Sequence, residues 1–195
     1  MTGLLKLSHL IDGLTERVGR AARWLILLTV LISAGNALAR YALNVSSNAW
    51  LEIQWYLFAA VFLLCAGYAL KHHQHVRVDV IASRLSPRAQ AWIDIFGTLF
   101  FLLPMALLIL WLSWPVFTDS WRSGEVSANA NGLVLWPARL LVPAGFALLV
   151  LQGLAELVKR AAFLRGLIPD PAQKSEAGAI EREFADAILK SRRQD

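Results

Sequence analysis

Hydrophobic positions along this chain gather into four long runs without a charged residue: 24–39, 53–70, 95–118 and 140–155. A helix that crosses the roughly 30 Å hydrocarbon core of a bilayer needs about 20 mostly apolar residues. With their flanks, all four runs reach that length. The pattern predicts transmembrane helices over about 23–42, 50–70, 92–117 and 137–159. The expected fold class is therefore an all-α integral membrane protein, an up-down bundle of four spans or two packed hairpins. The link at 41–49 is short and polar, with Asn44, Ser46, Ser47 and Asn48, and makes the first two spans an antiparallel hairpin. Ser86-Pro87-Arg88 reads as a helix start, proline being well placed in a first turn. The link between the third and fourth spans is the longest. Gly124, Asn129, Asn131, Gly132 and Pro137 mark it as a loop, although its uncharged stretch 126–138 has the composition to dip into the membrane interface.

Amphipathic patterns flank the spans. In the N-terminal segment 1–22, Leu7, Leu10, Ile11, Leu14 and Val18 recur at three- and four-residue steps, with Lys6, Asp12, Glu16 and Arg17 off the stripe. Two readings stay open, a helix lying on the inner leaflet and a helix docked on protein. After the membrane domain, 23–165, the segment 166–195 reads as a tail. Pro169 and Pro171 open it, and Ile180, Phe184, Ala187 and Ile188 suggest a short amphipathic helix near its end.

Composition strengthens the membrane reading. Apolar residues make up 57% of the chain and the mean hydropathy is +0.51, above the roughly 45–50% usual for soluble domains. The eight tryptophans fall mostly near span ends, where indoles favour the headgroup region. The first run is expected to be a retained span rather than a cleaved leader, because Asn36, Arg40 and Tyr41 follow it instead of a small-residue cleavage site.

The net charge of +5 would suit nucleic acid, but its distribution does not. Lys6, Arg17, Arg20 and Arg23 precede the first span. Arg40 alone follows it. Lys71, Arg77, Arg84 and Arg88 lie in the middle link, Arg122 and Arg139 in the third, and eight basic residues follow the last span. This alternation orients a membrane protein with both termini and the middle link in the cytoplasm. The other two links face outward, into the periplasm if the cell is Gram-negative. No nucleic-acid partner is expected.

Candidate chemistry is sparse. Proton relays, ion sites and substrate sites within membranes usually need a buried ionisable group, and here such groups sit at span ends. Arg40 and Glu52 are placed to meet across the first hairpin as a clamp, or to contact a partner. His72, His73 and His75 do not share a helical face and lack a completing carboxylate, so a polar edge is a better reading than a metal site. A haem bundle would want histidines at membrane depth, and a thiol oxidase would want cysteine pairs. The chain has neither; Cys65 is its one cysteine. No cofactor and no enzymatic activity are expected. Ser33, Asn36 and Gln152 are candidates for hydrogen bonds between helices. Pro104 and Pro143 permit kinks, and Gly67, Gly145 and Gly153 permit close helix approach.

Several segments, in order, carry a resemblance. They are Asn36-Ala37-Leu38-Ala39-Arg40-Tyr41 at the end of the first span, Trp50-Leu51-Glu52-Ile53-Gln54-Trp55-Tyr56-Leu57-Phe58 opening the second, and His75-Val76-Arg77-Val78-Asp79 in the middle link. Gly124-Glu125, Ser127 and Leu135-Trp136-Pro137 in the long loop complete the set. Together they resemble the DctQ family, the small membrane subunit of tripartite ATP-independent periplasmic (TRAP) transporters. Asn129-Ala130-Asn131-Gly132 departs from the family's common glycine pair, and Cys65 stands where a small residue is usual.

The resemblance implies a multi-pass protein of the bacterial inner membrane with two protein partners. One is a large membrane subunit that moves the substrate, driven by an ion gradient, usually sodium. The other is a periplasmic substrate-binding protein. The small subunit would brace the first and help dock the second during uptake of an organic acid. Arg40, Trp50, Glu52, His75, Arg77 and Asp79 are the expected assembly residues. Trp121, Arg122, Glu125 and Asn129 are the expected docking residues. A stand-alone membrane carrier and a redox membrane anchor are the competing functions.

Overall fold

The computed structural model describes residues 2–44, 47–72 and 85–169. They form four long helices: α1 (Thr2–Leu43), α2 (Asn48–Lys71), α3 (Pro87–Ser123) and α4 (Trp136–Leu164). Each is long and apolar enough to cross a membrane. The large apolar side chains that stay exposed, among them Trp24, Phe62, Phe101 and Trp111, are then solvated by lipid rather than left facing water.

The helices outrun the apolar runs that announce them. α1 is 42 residues long, roughly 63 Å at 1.5 Å per residue, about twice the hydrocarbon thickness. The amphipathic N-terminal segment enters the first span without a break. The start of α3 is the one its Ser-Pro pair predicts. Ser86 is the N-cap, its Oγ accepting the Ala89 N–H at 3.3 Å, and Pro87 follows in the first turn.

Within α3, Thr98–Leu102 is a π-helical turn. Pro104 lies just beyond it. A proline removes one backbone donor, and its ring crowds the carbonyl four residues back. Widening the preceding turn accommodates both, and the Leu103 N–H bonds to the Thr98 carbonyl.

α4 is the central element and touches each of the other three helices. α1 and α2 pack together as the predicted hairpin, whereas α3 rests mainly on α4. Beside Leu103 and Val150, the buried apolar positions among the described residues are small side chains: Ala22, Ala60, Ala91, Ala106, Ala155 and Ala162. Apolar bulk gains little from leaving lipid, so close backbone approach is what helps helices associate in a membrane. Gly145 shows this most clearly. A Cβ there would stand 2.8 Å from the Leu63 carbonyl oxygen, so α2 and α4 approach to backbone contact.

Candidate assembly sites at the two ends of the bundle

One end of the bundle carries the loop 124–135. Gly124, with φ 61°, lets the chain turn off α3 in a left-handed conformation that suits glycine. The chain then folds back on itself: the Ser127 N–H bonds to the Leu133 carbonyl at 2.9 Å, and the Leu135 N–H to the Glu125 carbonyl at 3.0 Å. A turn closes the tip, with the Gly132 N–H on the Asn129 carbonyl at 2.9 Å and Asn131 in the left-handed region that asparagine tolerates.

α2 clasps this loop along one face. Asn48, Glu52 and Tyr56 follow at four-residue steps, so they stack on the same side of the helix. Asn48 Nδ2 donates to the Ala130 carbonyl at 3.2 Å, and the Tyr56 hydroxyl to the Val134 carbonyl at 3.2 Å. Glu52 between them is 5% exposed. Its carboxylate accepts from the Leu133 N–H at 2.7 Å, from Asn129 Nδ2 at 2.8 Å and from the Ser127 hydroxyl. Three donors meet one buried charge, which is how a carboxylate is held away from water without a cation. Glu125 pairs with Arg139 at the start of α4, and the Trp121 and Trp136 rings meet edge-on at 4.5 Å. The loop is thus pinned to α2 and α4, and the ring pair joins α3 to α4 beside it.

Glu52 is central, but not as the sequence suggests. Among the described residues no ion pair joins it to Arg40; its oxygens are taken by a loop more than 70 residues further along. Arg40 is exposed in the last turn of α1, and Trp50 is also exposed. Of the four loop candidates, Asn129 and Glu125 are engaged within the chain, while Trp121 and Arg122 are exposed. His75, Arg77 and Asp79 lie outside the described residues.

The opposite end holds a layer of charges. Lys159 Nζ donates to Asp12 at 3.0 Å and to Glu156 at 2.6 Å. Lys71 Nζ reaches Glu16 at 2.7 Å and the Asp12 carbonyl at 3.2 Å, and His72 Nε2 lies 3.1 Å from the same Glu16 oxygen. Arg160 pairs with Asp94 of α3 at 2.9 Å. Beneath them Gln152 is fully buried. Its Oε1 accepts from Thr15 at 2.7 Å, and its Nε2 donates to Asp12 at 2.9 Å and Glu156 at 3.2 Å. Both amide protons and the amide oxygen are therefore bonded.

Gln152 does cross between helices, as a polar group inside a span should. Asp12 and Glu16 are the part the sequence pattern hides. They stand off the leucine stripe and read as a solvated face, yet they are the face that packs. For Asp12 the clue lies in α4, where Gln152, Glu156 and Lys159 recur at helical steps; for Glu16 it is Lys71 at the end of α2.

The two clusters differ in how far they reach along the chain. The model of the DctQ component of tripartite ATP-independent periplasmic transporters matches residues 29–163. That is most of the chain, all of the clasp included. The chain belongs to the DctQ family. The family is a transporter component rather than a family of enzymes. No curated protein and no solved structure matches the chain. The DctQ match begins within α1, so Asp12, Thr15 and Glu16 lie outside the matched region while their partners on α2 and α4 lie inside it.

Proposed function

We propose that this chain is the small permease subunit of a TRAP transporter. In this reading it lies in a bacterial inner membrane with both termini cytoplasmic and the clasped loop periplasmic. It braces a large transport subunit and presents the loop to a substrate-binding protein. The complex takes up an organic acid, driven by a sodium gradient. The observation that carries this reading is the clasp at Glu52. A buried carboxylate with three loop donors fixes a periplasmic loop to the end of a membrane helix. A rigid loop is a better docking surface than a mobile one, because less freedom is lost on binding.

Glu52→Gln tests the proposal in the complete transporter. The amide cannot accept from all three donors, since one of its ends is itself a donor. Losing any of the Ser127, Asn129 or Leu133 bonds loosens the loop on α2. Co-purification with the large subunit should persist, while substrate uptake at limiting binding protein falls several-fold. Unchanged uptake removes the docking role. Uptake by this chain alone in proteoliposomes would instead favour a stand-alone carrier.

A further inference from the structure

α2 and α3 both pack on α4 but scarcely meet each other. Between them lies a cavity of about 570 Å³, a size that holds a small ligand. Its walls are apolar, with Leu70 from α2, Phe101 and Met105 from α3, and Phe146, Leu149 and Leu157 from α4. Ala66 on α2 and Gly97 and Ala106 on α3 keep it open, because their side chains are too short to cross it. The α3 rim faces outward: Ile93, Phe101 and Met105 are each more than half exposed.

The cavity has a fixed height in the bundle. Ala106 and Phe146 line it furthest from the charge layer. Ala106 stands at the middle of the charge-free run 95–118, and Phe146 within two residues of the middle of 140–155. Both therefore mark the bilayer midplane. From there the cavity runs toward the charge layer and ends at Asp94, Glu156 and Arg160. Phe146 to Arg160 is about 21 Å along α4 at 1.5 Å per residue. Half of a bilayer with its headgroups is also about 21 Å. The cavity is thus one leaflet deep, apolar to the midplane and charged at headgroup level. A spanning helix of another subunit would cross both leaflets and needs a groove that continues past the midplane. Water is a poor occupant of apolar walls.

At the head end the charges are balanced. Arg160, only 3% exposed, pairs with Asp94 at 2.9 Å, and Lys159 with Glu156 at 2.6 Å. Such a set offers little to a net anion and is complementary to a head that carries both signs. A guanidinium has five donors in a fixed fork, which suits phosphate as well as carboxylate. Asp94 is the more exposed member of its pair and accepts from an ammonium.

We infer that this cavity is a phospholipid site that takes an acyl chain of phosphatidylethanolamine, with the phosphate on Arg160 and the ammonium on Asp94. Phosphatidylcholine carries the same charges, but its ammonium has no N–H to donate. Phosphatidylglycerol has the phosphate and no cation. The site goes beyond the proposed role in uptake and does not depend on it.

The test uses the full chain in nanodiscs that hold the three lipids in equal amounts. Native mass spectrometry of the released protein should find one phosphatidylethanolamine retained per chain, several-fold over either of the others. Equal retention of the ethanolamine and choline lipids, or a preference for phosphatidylglycerol, overturns the inference without recourse to a variant. A Cβ at Gly97 would meet nothing within 4 Å, so Gly97→Phe should fold, as circular dichroism checks, and fill the cavity. It should lose the retained lipid; undiminished retention by the folded variant overturns the inference. Asp94→Asn should still hold a lipid but no longer favour ethanolamine over choline, and an unchanged preference overturns the assignment of the head. Loss of the lipid on adding the large subunit gives the cavity to protein and overturns the inference too.

Discussion

At the scale of single residues, two kinds of position carry this fold. Gly145 is the first. Its missing Cβ allows the α2 backbone at Leu63 to touch α4. Backbone cannot swing aside, so Gly145→Ala should destabilise the bundle by about 1–3 kcal/mol, the usual range for overpacking. Gly35 lies in α1 with open space around it. Gly35→Ala should be neutral, or stabilising by up to about 1 kcal/mol through helix propensity. Thermal unfolding in detergent, followed by circular dichroism, compares the two. Equal midpoints would mean that the Leu63 contact does not set the helix spacing. Glu52 is the second kind. Its importance was legible, because a carboxylate at the mouth of an apolar run needs a partner. The partner was not legible. Arg40 is the obvious candidate on charge, yet the site is satisfied by a hydroxyl, an amide and a backbone N–H. Neutral donors contributed by a distant loop leave no pattern in charge or hydropathy. The trace that does exist is the four-residue spacing of Asn48, Glu52 and Tyr56.

At the scale of elements, α1 inverts the usual reading of an amphipathic helix. Apolar stripes ordinarily face protein and charges face water. Here the stripe faces outward and the paired charges of Asp12 and Glu16 hold the helix in place. Hydropathy alone cannot tell which apolar face is solvated by lipid, so the packing face was not legible in the sequence. The element's existence was, from its periodicity. Lys159 sits between Asp12 and Glu156 with all three side chains mostly buried. Lys159→Met should leave two facing carboxylates without their cation, a loss of about 3–5 kcal/mol for a broken buried pair. Amide exchange in residues 12–19 should accelerate while α3 stays protected. Adding Asp12→Asn should restore part of the protection, since it removes one uncompensated charge. If the single variant exchanges like the wild type, α1 is held by something other than this layer.

At the scale of the whole molecule, the two ends of the bundle differ in the charge they leave uncompensated, and that difference predicts orientation. At the loop end the described basic residues are Arg40, Arg122 and Arg139, and Arg139 is neutralised by Glu125. At the other end Arg17, Arg20, Arg23 and Arg88 are exposed beside a layer already rich in Lys71, Lys159 and Arg160. Positive residues near span ends are retained on the cytoplasmic side during insertion. The layer's own acids are paired, so they do not cancel the outward arginines. The loop end should therefore face the periplasm. A cysteine at Asn131, exposed at the loop tip, and one at His9, each in the Cys65→Ala background, read this out in intact cells. A membrane-impermeant maleimide should label Asn131→Cys before lysis and His9→Cys only after it. The reverse order would invert the bundle, place the clasped loop in the cytoplasm and remove it from any contact with a periplasmic protein. Labelling at Asn131 should also stay fast in Glu52→Gln, because the tip is exposed whether or not the loop is clasped. A change in sidedness can thus be told apart from a loosened loop.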